Sequence, residues 1–200
     1  MADRPRLVIA SGNAGKLREY RDLLSGAGFD LVAFDHEVDE VGDTYAENAR
    51  LKAETAAARS GLPSLGDDSG LEVEVLGGFP GIRSARLGPT QKERTAELLR
   101  RLDGQPRPWK ARFVSVIALA EPGKPTQVFE GECHGEIVPE WRGEAGFGYD
   151  PIFLVPGTGK TFGEMPPEEK RKYSHRAAAA GALLDSGALS QLESTPRRSR

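Results

Sequence analysis

The feature that most constrains the fold is a short apolar run near the start of the chain, followed at once by a glycine-containing loop and a helical pattern. The run Leu7-Val8-Ile9-Ala10 contains no polar residue, which is typical of a strand covered on both faces. Apolar residues between positions 17 and 24 then recur at helical spacing. This order predicts an α/β fold, and hairpin patterns at residues 111–120 and 126–133 predict a mixed sheet.

The loop from Ser11 to Lys16 has the composition of an anion site. A helix N-terminus offers backbone N–H groups to an anion, and Ser11, Asn13 and Lys16 add polar groups and a positive charge that suit phosphate oxygens. The glycine spacings of the Walker loop and of the dinucleotide-binding loop are missing. An ordinary strand-to-helix turn is the alternative interpretation of this motif taken alone.

Two acidic segments complement that loop. Gly66-Asp67-Asp68-Ser69-Gly70-Leu71 lies between two apolar runs, which predicts a tight turn between two strands, and residues 35–43 form an acidic loop that includes Asp39 and Glu40. Carboxylates repel a polyphosphate unless a divalent cation intervenes, and Mg²⁺ accepts one or two carboxylates together with phosphate and water. The segments together predict a magnesium-assisted phosphate site, with solvated acidic turns as the alternative.

Local signals mark several helix starts. Thr44 with Glu47 and Thr90 with Glu93 match capping boxes, and Ser174 is placed to cap a last helix that begins at His175. The aromatic segment 147–150 offers flat faces for a base. A His next to an Arg, as in His175-Arg176, is more often found on a surface than in a site.

Composition excludes some classes of function. A net charge of −3 gives no support for binding to nucleic acid or membranes, and no apolar run approaches the ~20 residues of a membrane span. The single Cys133 fits a reducing compartment, so we expect a cytoplasmic protein. We expect one domain over residues 1–200, with a core at about 7–185 and a tail at 186–200 that contains Arg197, Arg198 and Arg200.

Taken together, the motifs resemble those of the Ham1/inosine triphosphate pyrophosphatase family. They follow the family's order over about residues 7–185. The matching segments are Ser11–Lys16, Glu47-Asn48-Ala49 with Lys52, Asp67–Leu71, Gly81–Arg86, Phe147–Pro151, Glu169-Lys170 and Ser174-His175-Arg176.

The resemblance implies hydrolysis of non-standard purine triphosphates (ITP, dITP, XTP) to monophosphate and pyrophosphate, with Mg²⁺. It also implies a homodimer and an elongated mixed β-sheet flanked by helices, with two lobes around a central cleft. Asp68 looks like the proton acceptor and, with Asp39, a metal ligand. The implied triphosphate contacts are Ser11, Gly12, Asn13, Ala14, Gly15, Lys16, Ser69 and Lys170, and the implied base and sugar contacts are Phe147, Gly148, Tyr149, Asp150, His175 and Arg176.

Two positions depart from the family pattern. Asp39 is shorter than the usual Glu, and Glu40 beside it could take its place; Arg83 stands where many relatives carry an aromatic residue. Two other functions stay open at this point. One is a pyrophosphatase for other modified nucleotides, as in the similarly folded Maf family, and the other is a non-catalytic nucleotide-binding module.

Overall fold

The computed structural model describes residues 4–34, 36 and 38–193, which form seven strands and six α-helices. The strands are β1 (Arg6–Ala10), β2 (Asp30–Ala33), β3 (Ser64–Val73), β4 (Pro80–Gly81), β5 (Trp109–Ala120), β6 (Gln127–Ile137) and β7 (Phe153–Leu154). The helices are α1 (Ala14–Leu23), α2 (Tyr45–Ser60), α3 (Gln91–Leu102), α4 (Pro167–Lys170), α5 (His175–Asp185) and α6 (Ala188–Glu193). Short 3₁₀ helices lie at Glu74–Leu76, Ser84–Arg86, Asp150–Ile152 and Phe162–Glu164.

The strands form one mixed sheet in the order β2-β1-β3-β5-β6-β7, and β4 pairs with β3. β1 is parallel to both of its neighbours, with Val8 opposite Val32 of β2 and Ser64 of β3. β4 and β7 run antiparallel to β3 and β6 respectively. The predicted α/β fold with a mixed sheet flanked by helices is therefore confirmed.

The chain divides into two compact units, and it passes from one to the other after Asp68, Ser115, Gly131 and Ala177. The first unit takes the described residues up to Asp68, Val116–Gly131 and the described residues from Ala178 on; the second takes Ser69–Ser115 and Glu132–Ala177. Each unit has its own apolar core, built on β1 and α1 in the first and on β5, β6 and the segment around Phe153 in the second.

β1 is covered on both faces, as its apolar run predicts. Leu7 and Ile9 belong to the core that contains Tyr20 of α1, whereas Val8 and Ala10 pack with Ala56 of α2. Alternate residues of a strand point to opposite faces, so α1 and α2 lie on opposite sides of this part of the sheet.

The predicted turn at residues 66–70 is wrong, because β3 runs without interruption from Ser64 to Val73. Gly66 pairs with Ala10 of β1 inside the sheet. A Cβ at Gly66 would lie 2.6 Å from the backbone nitrogen of Ala53 and closer still to the carbonyl oxygen of Ala49. This glycine therefore allows α2 to approach the strand and does not make a turn.

The local helix signals hold. Thr44 and Thr90 form complete capping boxes, and the Ser174 hydroxyl accepts a hydrogen bond from the Ala177 N–H at 3.1 Å. β7 is only two residues long, and a 3₁₀ helix at Asp150–Ile152 precedes it. The apolar residues of α6 are buried in the first core, so ordered structure continues past the expected end at residue 185.

Some expectations fall on residues that lie outside the described ones. These are Asp35 and Glu37 of the acidic loop and the three arginines at the C-terminus. Among the helices that the structure describes, none is long and apolar enough to span a bilayer.

Candidate functional site

The two adjacent aspartates of β3 point to opposite faces of the strand. Asp67 contacts side chains of α1, and Asp68 contacts side chains of α2. Both carboxylates are buried, with exposed fractions of 2% and 4%. Successive side chains of a strand point to opposite faces, so each of the two aspartates has its own set of partners.

Asp67 is held by two residues of α1. The Lys16 Nζ lies 2.6 Å from its Oδ2, and the Tyr20 hydroxyl donates to its Oδ1 at 2.9 Å. Lys16 and Tyr20 are four residues apart, so they share one face of the helix. This contact fixes the predicted phosphate-binding lysine against β3, and it brings the lysine loop and the aspartate strand together as the sequence argument requires.

Asp68 is held in the same way by α2. The Asn48 side-chain amide donates to its Oδ2 at 3.0 Å, and the Lys52 Nζ lies 3.5 Å from its Oδ1. Asn48 and Lys52 are again four residues apart on one helix face. The Lys52 Nζ also contacts the Glu40 Oε1 at 2.6 Å, so one ammonium joins the acidic loop to Asp68.

Burial raises the pKa of the Asp68 carboxyl above its ordinary value of 3.8. The positive charges of Lys52 and Lys16 and the hydrogen bond from Asn48 oppose this effect, whereas the nearby Glu40 carboxylate adds to it. A carboxylate that is costly to keep charged accepts a proton readily, which is the property a general base needs.

The first loop is arranged by its own asparagine. The Asn13 Oδ1 accepts hydrogen bonds from the backbone N–H groups of Gly15 at 2.8 Å and Lys16 at 3.2 Å, so Asn13 caps α1. The Ser11 hydroxyl oxygen accepts from the N–H of Asn13. Two of the N–H groups that the anion-site argument assigned to phosphate are thus engaged by the side chain of Asn13.

The acidic loop offers Glu40 more clearly than Asp39 as a partner for Asp68. Asp39 is exposed, whereas Glu40 is partly buried and shares Lys52 with Asp68. Two carboxylates that converge on one cationic group form the hard oxygen donor set that Mg²⁺ prefers. Within the described ranges, no group of three or more His, Cys, Asp and Glu side chains could hold a metal ion by itself. Glu40 and Asp68 are two carboxylates, the number that Mg²⁺ commonly takes from a protein when phosphate and water supply its other ligands.

The second unit contains the predicted aromatic segment. Phe147 is partly exposed, with the Lys170 Nζ 5.1 Å and the Arg176 Cζ 5.5 Å from the centre of its ring. Asp150 is buried and secures this segment, because its Oδ2 accepts from the Phe147 N–H at 2.8 Å and from the Lys170 Nζ at 2.7 Å. The Tyr149 hydroxyl donates to the carbonyl oxygen of Ser84 at 2.9 Å, and its ring lies in the core.

The last predicted pair is buried in the second unit. His175 is 4% exposed and stacks on Phe113, with ring centres 4.7 Å apart and planes within 11°. Arg176 is 1% exposed and donates to the Ser69 hydroxyl at 2.9 Å. The surface interpretation of these two residues is thereby excluded.

Several residues of the site were assigned no role by the sequence argument: Tyr20, Asn48, Lys52, Asp67 and Phe113. The i, i+4 spacing of Lys16 with Tyr20 and of Asn48 with Lys52 could have indicated that each pair faces one target. Phe113 gives no local signal, because its partner is 62 positions further along the chain (175 − 113).

Comparison with known proteins decides the family. The model of the Ham1 family matches residues 7–186. This chain belongs to the Ham1 family. Its match covers both units, and it therefore includes β3 with its two aspartates and the segment of His175 and Arg176.

Curated relatives are similar to this chain over most of their length. The chain is 52% identical over 180 residues to a protein of Gloeobacter violaceus named dITP/XTP pyrophosphatase. The alignment covers 89% of this chain and 92% of the relative. It is also 49% identical over 189 residues to a protein of the same name from Thermus thermophilus, and that alignment covers 90% of each chain.

Solved Ham1 structures share the fold. A HAM1 protein from Coxiella burnetii matches with a TM-score of 0.83 and 38% identity, covering 91% of this chain and 98% of that one. The Ham1 protein of Staphylococcus aureus matches with a TM-score of 0.80 and 38% identity, covering 94% and 98%.

Proposed function

We propose that this Ham1 protein is a nucleoside triphosphate pyrophosphohydrolase that converts the non-standard purine triphosphates ITP, dITP and XTP to monophosphate and pyrophosphate. The observation that carries the proposal is the convergence of Glu40 and Asp68 on the ammonium of Lys52, beside a lysine-bearing loop. The dITP/XTP pyrophosphatase name of relatives about half identical to this chain supports the substrate class.

Asp68 acts as the general base in this reaction. Its carboxylate takes a proton from water as the water oxygen bonds to the α-phosphorus, and the bond from that phosphorus to the bridging oxygen breaks. Pyrophosphate leaves with the electron pair of the broken bond. Such proton transfer typically contributes 10²–10⁴-fold to a rate.

Glu40 and Asp68 would hold the divalent cation, with Glu40 taking the place first assigned to Asp39. Bound there, Mg²⁺ would offset the negative charge of the phosphates and orient them for in-line attack. Lys16 supplies further positive charge to the triphosphate, and its contact with Asp67 holds the side chain in place before substrate arrives. Ser11, Gly12, Ala14, Gly15, Ser69 and Lys170 remain proposed triphosphate contacts, and Asn13 acts there chiefly as the cap of α1.

Base selection is assigned to the second unit. Hypoxanthine and xanthine present an oxygen acceptor at position 6, whereas adenine presents an amino donor. The buried guanidinium of Arg176 carries only donors, so it favours a base with an acceptor at position 6 over adenine, whose amino group cannot accept a hydrogen bond. Phe147, with Gly148, offers the stacking face, His175 completes the base contacts, and the buried Tyr149 and Asp150 shape this surface.

A panel of triphosphates tests the proposal. Pyrophosphate release is measured from ITP, dITP, XTP, ATP and GTP, and from modified pyrimidine triphosphates, with Mg²⁺ and with a chelator. We expect ITP, dITP and XTP to be strongly preferred and the activity to vanish with the chelator. A preference for a modified pyrimidine would favour the Maf-like alternative, and binding without turnover would favour the non-catalytic module.

Three further features belong to the proposal: a homodimer, which the family resemblance implies, and a cytoplasmic location and a single functional domain, which the sequence itself suggests. Light scattering of the purified chain tests the first, and fractionation of the source cells tests the second. Limited proteolysis with assay of the separated fragments tests whether the two compact units work only as one domain.

A further inference from the structure

The side chain of Asn48 joins the acidic loop to the proposed base. Its Oδ1 accepts from the Gly42 N–H at 2.8 Å, and its Nδ2 approaches the Gly42 carbonyl oxygen at 3.4 Å. The same Nδ2 donates to the Asp68 Oδ2 at 3.0 Å. Asn48 is 1% exposed, so these contacts are made away from solvent.

The chemistry of this position requires a carboxamide. A carboxamide carries an acceptor and donors on one planar group, so it can pair with a backbone N–H and C=O and still donate to a carboxylate. An ionised aspartate could accept from the Gly42 N–H but could not donate to Asp68. Alanine could do neither.

The loop is shaped to receive this group. A Cβ at Gly42 would lie 2.9 Å from the Asn48 Oδ1 and 2.7 Å from the Glu47 Cβ, closer than real Cβ atoms come. Glycine at position 42 therefore lets the backbone reach Asn48. Glu40 is two residues before this anchor, so the anchor restricts where its carboxylate can lie.

We propose that Asn48 is a positioning residue, which holds the Glu40 loop and Asp68 in the arrangement that receives the divalent cation. The proposal deepens the proposed function and rests on it. Residues that orient metal ligands typically contribute 10–100-fold to metal affinity or activity.

Asn48 and Lys52 hold Asp68 in different ways. The Lys52 ammonium contacts the Asp68 Oδ1, and its positive charge and that of an incoming cation repel each other. Asn48 is neutral and uses the Oδ2, and it holds the loop through backbone atoms of Gly42. Its contacts are therefore compatible with a cation between the two carboxylates.

The experiment measures Mn²⁺ binding to the full-length protein without nucleotide, by electron paramagnetic resonance, together with kcat and KM for ITP. The variants are Asn48→Ala, Gly42→Ala and their combination. Arg50→Ala is the matched control, because Arg50 lies on the same helix, is exposed, and donates one hydrogen bond to the Thr126 carbonyl oxygen. Asn48→Asp is added as the variant that keeps the acceptor for Gly42 and loses the donor.

We expect Asn48→Ala to weaken Mn²⁺ binding by about 10–100-fold and to lower kcat by a similar factor, with a much smaller change in KM. Gly42→Ala should also weaken Mn²⁺ binding, and the double variant should bind little more weakly than Asn48→Ala, because Asn48→Ala has already lost the contact that Gly42→Ala breaks. Asn48→Asp should keep Mn²⁺ binding and lose kcat, because it retains the loop anchor and adds a negative charge while no longer holding Asp68. Arg50→Ala should match the wild type.

Three results would overturn the inference. The first is that Asn48→Ala binds Mn²⁺ as tightly as Arg50→Ala does, and the second is that the wild type shows no saturable Mn²⁺ binding. The third is that the loss of Mn²⁺ affinity in the double variant equals the product of the losses in Asn48→Ala and Gly42→Ala. If Asn48→Ala does not fold, Gly42→Ala against Arg50→Ala decides by the same measurement. Wild-type protein that releases no pyrophosphate from ITP would refute the proposed function, while the Mn²⁺ measurements would still decide the role of Asn48.

Discussion

Each unit buries a lysine–aspartate pair, and the two pairs are built differently. In the second unit, the Asp150 Oδ2 accepts hydrogen bonds from the Lys170 Nζ at 2.7 Å and from the Phe147 N–H at 2.8 Å. In the first, Asp68 is 3.5 Å from Lys52, which is nearer to Glu40 at 2.6 Å, and burial raises the pKa of the Asp68 carboxyl. The Asp150 pair therefore fixes a loop, whereas burial makes the charged form of Asp68 costly, which is the property expected of a proton acceptor.

Neutralising Asp68 should give the largest effect on activity. Asp68→Asn removes the proposed proton acceptor and a cation ligand, so kcat for ITP should fall by at least about 10²–10⁴-fold. Pyrophosphate release and equilibrium binding of ITP are measured on the same sample. Near-normal turnover would exclude the general-base role of Asp68. The difference between Asp68 and Asp150 would then have no bearing on catalysis.

Neutralising Asp150 should give the largest effect on stability. Asp150→Asn separates Lys170 from its charged partner inside the protein, and breaking a buried ion pair typically costs about 3–5 kcal/mol. In a chain of this size, that corresponds to a fall in Tm of about 6–20 °C. Thermal unfolding followed by circular dichroism measures the shift, and Asp103→Asn, an exposed aspartate in the same unit, is the control. A Tm equal to that of the control would show that the Asp150 pair does not secure the loop.

Substitutions of Asp39 and Glu40, the two acids of the acidic loop, should differ in their effect on metal dependence. Glu40→Gln should raise the Mg²⁺ concentration needed for half-maximal activity by roughly tenfold or more, because a cation ligand loses its charge. Asp39→Asn, at an exposed position, should change it little. Titration of activity with Mg²⁺ separates the two. The reverse order of effects would return the ligand role to Asp39.

The smallest expected effect is a gain in stability. Because burial raises the folded-state pKa of Asp68 above its unfolded value, its stabilising contribution is complete below the unfolded pKa and is lost as the pH rises through the folded pKa. Asp68→Asn replaces this carboxyl group with an amide, which has no charged form to desolvate. We expect Tm in a chelating buffer to rise by about 2–4 °C, the shift for about 1 kcal/mol in a chain of this size. A fall in Tm would mean that the contacts from Asn48 and Lys52 outweigh burial.

The sequence predicted best what short-range chemistry determines. The Thr44 and Thr90 capping boxes and the cap at Ser174 each depend on residues within three positions, and the structure contains all three. The apolar run of β1 correctly indicated a strand covered on both faces. The motifs, taken together, identified the family and its fold.

Non-local pairing explains what the sequence did not reveal. Asp, Ser and Gly favour turns, so residues 66–70 were interpreted as one, but they lie within the continuous strand β3, where Gly66 pairs in parallel with Ala10 of β1. The buried Arg176 donates a hydrogen bond to Ser69, 107 positions away, which no local pattern indicates. Glu40 is preferred to Asp39 as the metal ligand because it contacts Lys52, which is twelve positions away. No rule of sequence spacing predicts that contact.

The opposite facing of Asp67 and Asp68 restricts how this part of the gene can change length. Removing or adding a single codon between Leu65 and Asp67 would rotate every later side chain of the strand by half a turn. The carboxylate now against Tyr20 would then face Lys52, and its neighbour would face Lys16. Substitutions here can be tested one at a time, but we expect insertions and deletions to exchange both sets of partners at once.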